Sequence, residues 1–194
     1  MDLNRSEVRK IGFPISQQLV EREFIIAGGT LEGALKSLQE GISFNIAGGT
    51  HHAYSNHGEA FCILNDQAIA ARYLLDHQHA KKILIIDLDV HQGNGTAEIF
   101  KKEDRVFTFS IHGQKNYPFR KEQSDWDIPL EDKTGDDVYL NVLNDTLPRL
   151  FERVDPDFVF YLSGVDVVDT DRLGRLGLSI DCLLYTSPSP RDRG

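Results

Sequence analysis

The chain has 194 residues, a length that as a prior means one domain. Its 40% hydrophobic and 26% charged residues form an ordinary globular balance, which excludes a disordered or collagen-like chain. Thirty acidic against 21 basic residues give a net charge of −9, a poor match for a nucleic-acid phosphate backbone. No apolar run approaches the roughly 20 residues that span a bilayer, so no membrane partner is expected. The opening Met1-Asp2-Leu3-Asn4-Arg5-Ser6-Glu7 lacks the basic head and apolar stretch of a signal peptide. Two cysteines, Cys62 and Cys182, are too few for a disulfide framework and fit a reducing, cytoplasmic setting.

Helix-like and strand-like segments then alternate. Thr30 to Gln39 opens on a threonine cap and carries Leu31, Ala34, Leu35 and Leu38 at helical spacing. Asn65 to His79 starts with the capping pair Asn65-Asp66 and puts Ile69, Tyr73 and Leu74 on one core-facing stripe. Ile83 to Leu88 is a nearly continuous apolar run, the pattern of a strand buried on both faces, and Val106 to Ile111 and Phe158 to Leu162 repeat it. Pro118 to Gly135, with Trp126, Pro129 and many charges, reads as a long surface loop. Asp136 to Phe151 has the period of a helix of several turns. Strands separated by helices predict an α/β fold: a mostly parallel sheet with helices on both faces. Ligands of such sheets sit beyond the carboxyl ends of the strands. From Cys182 to Gly194 the composition turns to Ser, Pro and Arg without apolar period, resembling translated adaptor sequence, so 182–194 is set apart as a non-native tail.

Those strand ends carry chemistry. Asp87-Leu88-Asp89-Val90-His91-Gln92-Gly93-Asn94-Gly95 follows the strand at 83–86, and in extended chain Asp87, Asp89 and His91 project to one side. Two carboxylates and an imidazole there suit a metal; the plain alternative is a solvated turn whose aspartates act as caps. Gly48-Gly49-Thr50-His51-His52 places adjacent histidines on a loop, where one can act as general base and the other can tune charge, or both can be idle surface rings. Leu162-Ser163-Gly164-Val165-Asp166 ends another apolar strand in a carboxylate. Joined to Asp89 and His91, Asp166 completes three protein ligands with a position for water, the pattern of a catalytic zinc site. Phe61 reads as core or channel wall, and Cys62 as a small buried residue. His57, His77, His79 and His112 read as loop or helix-surface histidines, His112 least firmly because it follows a strand.

Four ordered blocks, GGTHHAYSNHGEAFCILND, IDLDVHQGNGT, VFTFSIHGQKNYPFRK and YLSGVDVVDTDRLGRLGLS, resemble those of the histone deacetylase family, most closely its bacterial and class IV-like members. The resemblance runs from about Ile11 to Asp181 and implies zinc-dependent hydrolysis of an acetyl-amide on an arginase-like α/β domain. It matches Asp89, His91 and Asp166 to the zinc ligands and His51 and His52 to the tandem histidines. Asp87 matches the carboxylate that orients His51, and Asn94 the partner of His52. Phe61 matches a wall of the acyl-lysine channel, with Gly164 also assigned to the substrate, and Asp87, Asp89, His91 and Ser110 match residues around a structural K+ site. The implied substrate is an acetylated amine, either an acetyl-lysine peptide or a small molecule such as an acetylpolyamine.

Three departures from the family stand out. None of the six tyrosines follows the glycine-rich run that usually precedes the oxyanion-stabilising tyrosine. Residues 1–181 are therefore expected to be a partial catalytic domain, incomplete at both ends. Ala60 replaces a glycine of the channel, and Asn94 replaces an aspartate, removing a charge beside His52. Rival readings are a binuclear hydrolase of the arginase kind and a metal-binding but inactive fragment or pseudoenzyme.

Overall fold

The computed structural model describes residues 3–186. Within them, helices α1 (Arg5–Ile11), α2 (Gln17–Glu40) and α3 (Asp66–Asp76) precede strand β1 (Ile83–Asp87). Then come α4 (Asn94–Phe100), β2 (Val106–Gly113), β3 (Trp126–Leu130), α5 (Asp136–Val154), β4 (Phe158–Leu162) and α6 (Ile180–Thr186). The sheet order is β3-β2-β1-β4 and every pair is parallel. Asp87 is level with Ser110 on one side and Leu162 on the other, so β1 and β4 finish at one height while β2 runs on to Gly113.

Both faces of the sheet are covered, which is why ILII is apolar without alternation. Leu84 and Ile86, with Phe109 and Ile111, pack against Tyr139, Leu143, Leu150 and Val154 of α5. Ile83 and Ile85, with Val106 and Phe160, pack on Ala34 of α2 and on Ala68, Ala71 and Leu74 of α3. Each such aliphatic side chain, once fully buried, contributes about 1.5–3 kcal/mol. The result is the expected α/β arrangement of three layers, with the sheet in the middle.

Several local expectations change. The helix predicted from Thr30 belongs to α2, which starts at the Ser16 cap and passes through Gly28 and Gly29 without a break. Thr30 is no cap; its hydroxyl donates to Asp66 at 2.6 Å, joining α2 to α3. On α3 the stripe turns inward at Ala70, Ala71, Leu74 and Leu75, leaving Ile69 exposed. The segment 118–135, expected to be a loop, contains β3, a strand at the edge of the described sheet, where Pro129 is tolerated although it lacks an N–H. The segment set apart as a tail begins within α6, where Cys182 is buried in the core, and 187–194 lie outside the described residues. Among the described residues, no helix is long and apolar enough to cross a membrane.

Candidate functional site

The chain leaves β1 through two consecutive aspartate turns. Asp87 Oδ1 accepts the Asp89 N–H at 3.1 Å, and Asp89 Oδ1 accepts the His91 N–H at 2.7 Å. These turns end the strand, and Asp87, whose other carboxylate oxygen meets His51 at 2.6 Å, is not the third member of the ligand cluster. Instead Asp89 and His91 meet Asp166 from the loop after β4, with their three ligand atoms within 4.8 Å of one another. His91 Nδ1 lies 3.0 Å from both Asp89 Oδ1 and Asp166 Oδ2. Asp166 Oδ1 also accepts the Val90 N–H at 3.1 Å, locking the two loops together. Gly164 allows this approach, because a β-carbon there would stand 2.4 Å from the Asp89 α-carbon. Burial works against a charged His91, yet its hydrogen bonds to Asp166 and Asp89 outweigh it and lift its pKa to about 9. The ring proton thus supplies positive charge at a point where two carboxylates call for a cation. A donor set of one imidazole and two carboxylates fits zinc.

The tandem histidines sit on a loop anchored to the start of α3, where Gly49 and Thr50 N–H groups donate to Asp66 at 3.2 and 2.9 Å. His51 Nδ1 pairs with Asp87 Oδ2 at 2.6 Å, and His52 Nδ1 with Asn94 Oδ1 at 2.6 Å. Gly93 is required beside the first pair: a β-carbon on it would lie 2.3 Å from Asp87 Oδ2. Both rings are buried. Burial disfavours a charged His51, but Asp87 and Asp89 overcome it and raise its pKa to about 9. Burial also pushes the Asp87 carboxyl upward, so the pair keeps its proton. For His52, burial and the neighbouring His51 charge act together and depress the pKa to about 3. One ring therefore holds charge at neutral pH while the other stays neutral.

A second polar layer was not anticipated from sequence. Glu59 Oε1 accepts from Asn94 Nδ2 at 3.0 Å and from the Tyr117 hydroxyl. Tyr117 also sets its ring edge-on to His52, with centroids 5.1 Å apart. Asn94 Nδ2 further donates to the Tyr54 hydroxyl at 3.1 Å. A cavity of about 510 Å³ opens beside His91, walled by Asn116, Tyr117, Phe119, Leu173 and Gly174 among others. Phe61, matched to the channel wall, packs against Phe13 with centroids 4.8 Å apart and rings tilted by 48°, and is 54% exposed. His112 proves fully buried on β2, its Nδ1 3.0 Å from the Ser110 hydroxyl, and burial lowers its pKa to about 4. Cys62 is buried as expected, and burial pushes its thiol up to about 12.

Comparison with known proteins agrees with this architecture. Residues 3–188 match the family model described as histone deacetylase domain. An uncharacterized protein of Picosynechococcus sp. is 48% identical over 171 residues, covering 88% of this chain and 57% of that protein. Histone deacetylase clr6 of Schizosaccharomyces pombe is 35% identical over 181 residues, covering 86% and 44%. A crystal structure of an HDAC homolog complexed with SAHA superposes with a TM-score of 0.79 at 28% identity, covering 89% of this chain and 50% of that one. The chain therefore spans about half the length of the relatives it matches, and it belongs to the histone deacetylase family.

Proposed function

We propose that this chain carries the metal and histidine half of a zinc-dependent deacetylase, one that hydrolyses the acyl-amide of acetyl-lysine peptides or small acetylated amines such as acetylpolyamines. The convergence of Asp89, His91 and Asp166 beside a neutral, buried His52 carries the proposal. Zinc held by those three ligands supplies Lewis acidity to polarise the amide carbonyl and to acidify water. His52 donates through Nδ1 to Asn94 and keeps Nε2 free to take a proton from the attacking water. As negative charge builds on the amide oxygen, the proton affinity of His52 rises, and the same nitrogen then passes a proton to the leaving amine. His51, held charged by Asp87, adds fixed positive charge 4.2 Å from His52, ring centroid to ring centroid. The SAHA complex of the homolog supports an acetyl-lysine-like ligand for this chain as well. A structural K+ beside Asp87, Asp89, His91 and Ser110 belongs to the same proposal.

The rival reading, a metal-binding chain without turnover, is favoured by one observation. Tyr117, the tyrosine packed on His52, commits its hydroxyl to Glu59 and not to the metal cluster.

Elemental analysis of the chain and of His91→Ala, purified without chelator, separates these ideas when combined with an acetyl-lysine peptide assay. About one zinc per wild-type chain, lost in the variant, supports the ligand set, and peptide hydrolysis supports the enzyme. Zinc without hydrolysis supports the rival reading. Equal zinc in both proteins would remove His91 from the ligand set.

A further inference from the structure

We infer that Glu59 is a positioning residue that fixes the tautomer of His52 through the side-chain amide of Asn94. A carboxylate at position 94 would accept a hydrogen bond from His52 whichever way it turned. An amide has two unlike faces, and something must decide which of them meets the imidazole. Glu59 decides it. Its Oε1 already accepts from the Tyr117 hydroxyl, so it can only accept from Asn94 and draws Nδ2 to itself at 3.0 Å. Tyr54 takes the other N–H of the same nitrogen at 3.1 Å. Oδ1 is then left facing His52 Nδ1 at 2.6 Å, which obliges Nδ1 to carry the proton and leaves the lone pair on Nε2. With the amide reversed, Asn94 Oδ1 would face the Glu59 oxygen, two acceptors at hydrogen-bonding distance, and His52 would be offered an N–H, which selects the opposite tautomer. That tautomer has no base at Nε2.

Three segments distant in sequence meet here: the 54–59 segment, the start of α4 at Asn94, and Tyr117 beyond β2. Glu59 does not touch the metal cluster; it acts through Asn94. Its consequence for turnover rests on the deacetylase reading, but the tautomer itself does not.

The test is nitrogen-15 NMR of histidine-labelled, zinc-loaded chain, with the His52 resonances assigned by their loss in His52→Gln. Wild type should show a protonated Nδ1 and a bare Nε2. Glu59→Ala should shift His52 toward the Nε2–H form, whereas Glu59→Gln, which retains a carbonyl oxygen for Asn94 and Tyr117, should keep the wild-type signature. On the same reading Glu59→Ala should lower kcat about 10- to 100-fold with zinc content unchanged. An Nε2–H or doubly protonated His52 in wild type would overturn the inference, as would an unchanged His52 signature in a folded Glu59→Ala chain. A wild-type chain with the expected tautomer that binds zinc but cleaves no acetyl-lysine peptide would sink the deacetylase reading and leave the tautomer assignment standing.

Discussion

Ala60 and Phe61 hold φ values of 44° and 68°, a left-handed conformation that costs a residue with a β-carbon roughly 1–2 kcal/mol. The turn persists because the Ala60 and Phe61 N–H groups donate to the Lys10 and Ile11 carbonyls at 2.9 and 2.7 Å, tying it to the end of α1. Ala60→Gly should therefore stabilise the chain by about 1 kcal/mol, seen as a higher denaturant midpoint with an unchanged slope. A lower midpoint would mean that the Ala60 methyl group contributes more by packing than it costs in backbone strain. The site residues themselves differ in how visible they are in the sequence. Asp89, His91 and Asp166 announce themselves as polar residues closing apolar strands. Asp87 is visible in the same way, as the carboxylate on which the apolar strand ends, and it meets His51 as the resemblance implies. Glu59 carries no such mark, since its role exists only once Asn94 and Tyr117 are brought to it.

Among the elements, α3 and the turn leading into β2 are joined at the surface by Glu103, which binds Arg72 at 2.7 Å and Arg105 at 2.6 Å. The Arg105 hydrogen bonds hold the Glu103 carboxyl down from 4.5 to about 2. Both arginines are about half-exposed, so screening limits the gain to about 1 kcal/mol or less. A depressed carboxyl stabilises the fold above its unfolded pKa, and that contribution is lost as pH falls through the folded value. Glu103→Gln should thus lower the thermal midpoint at pH 7, and the gap to wild type should close between about pH 4.5 and 2. A gap independent of pH would assign the effect to packing. Buried strands were legible because both faces are apolar, whereas β3 was not. Its Pro129 and charged neighbours suit an exposed edge and look like loop to any pattern that rewards apolar runs. The length of α2 was hidden for a related reason: Gly28 and Gly29 weaken helix propensity locally, and contacts with α3 override that.

For the molecule as a whole, the alternation of strands and helices was enough to predict a parallel three-layer α/β fold, but not its strand count. Among the described residues, β4 lies at one edge of the sheet with Val159 38% exposed, and α2 leaves Phe24 and Ile25 exposed at 62% and 74%. Open edges and apolar faces promote association of chains. Val159→Lys should reduce self-association in sedimentation velocity without altering helix content. Undiminished association would place the sticky surface elsewhere, with α2 as the next candidate.

The hydrogen bond from Val90 to Asp166 spans 76 positions of sequence. Forming it requires β1 and β4 to lie side by side in register, and chain closure over so long a span comes late and slowly in folding. During synthesis, Asp89 and His91 leave the ribosome well before Asp166 exists. The Asp89, His91 and Asp166 cluster can then be assembled only once β4 has docked on β1, so an ion taken up there would bind a chain whose sheet is already paired.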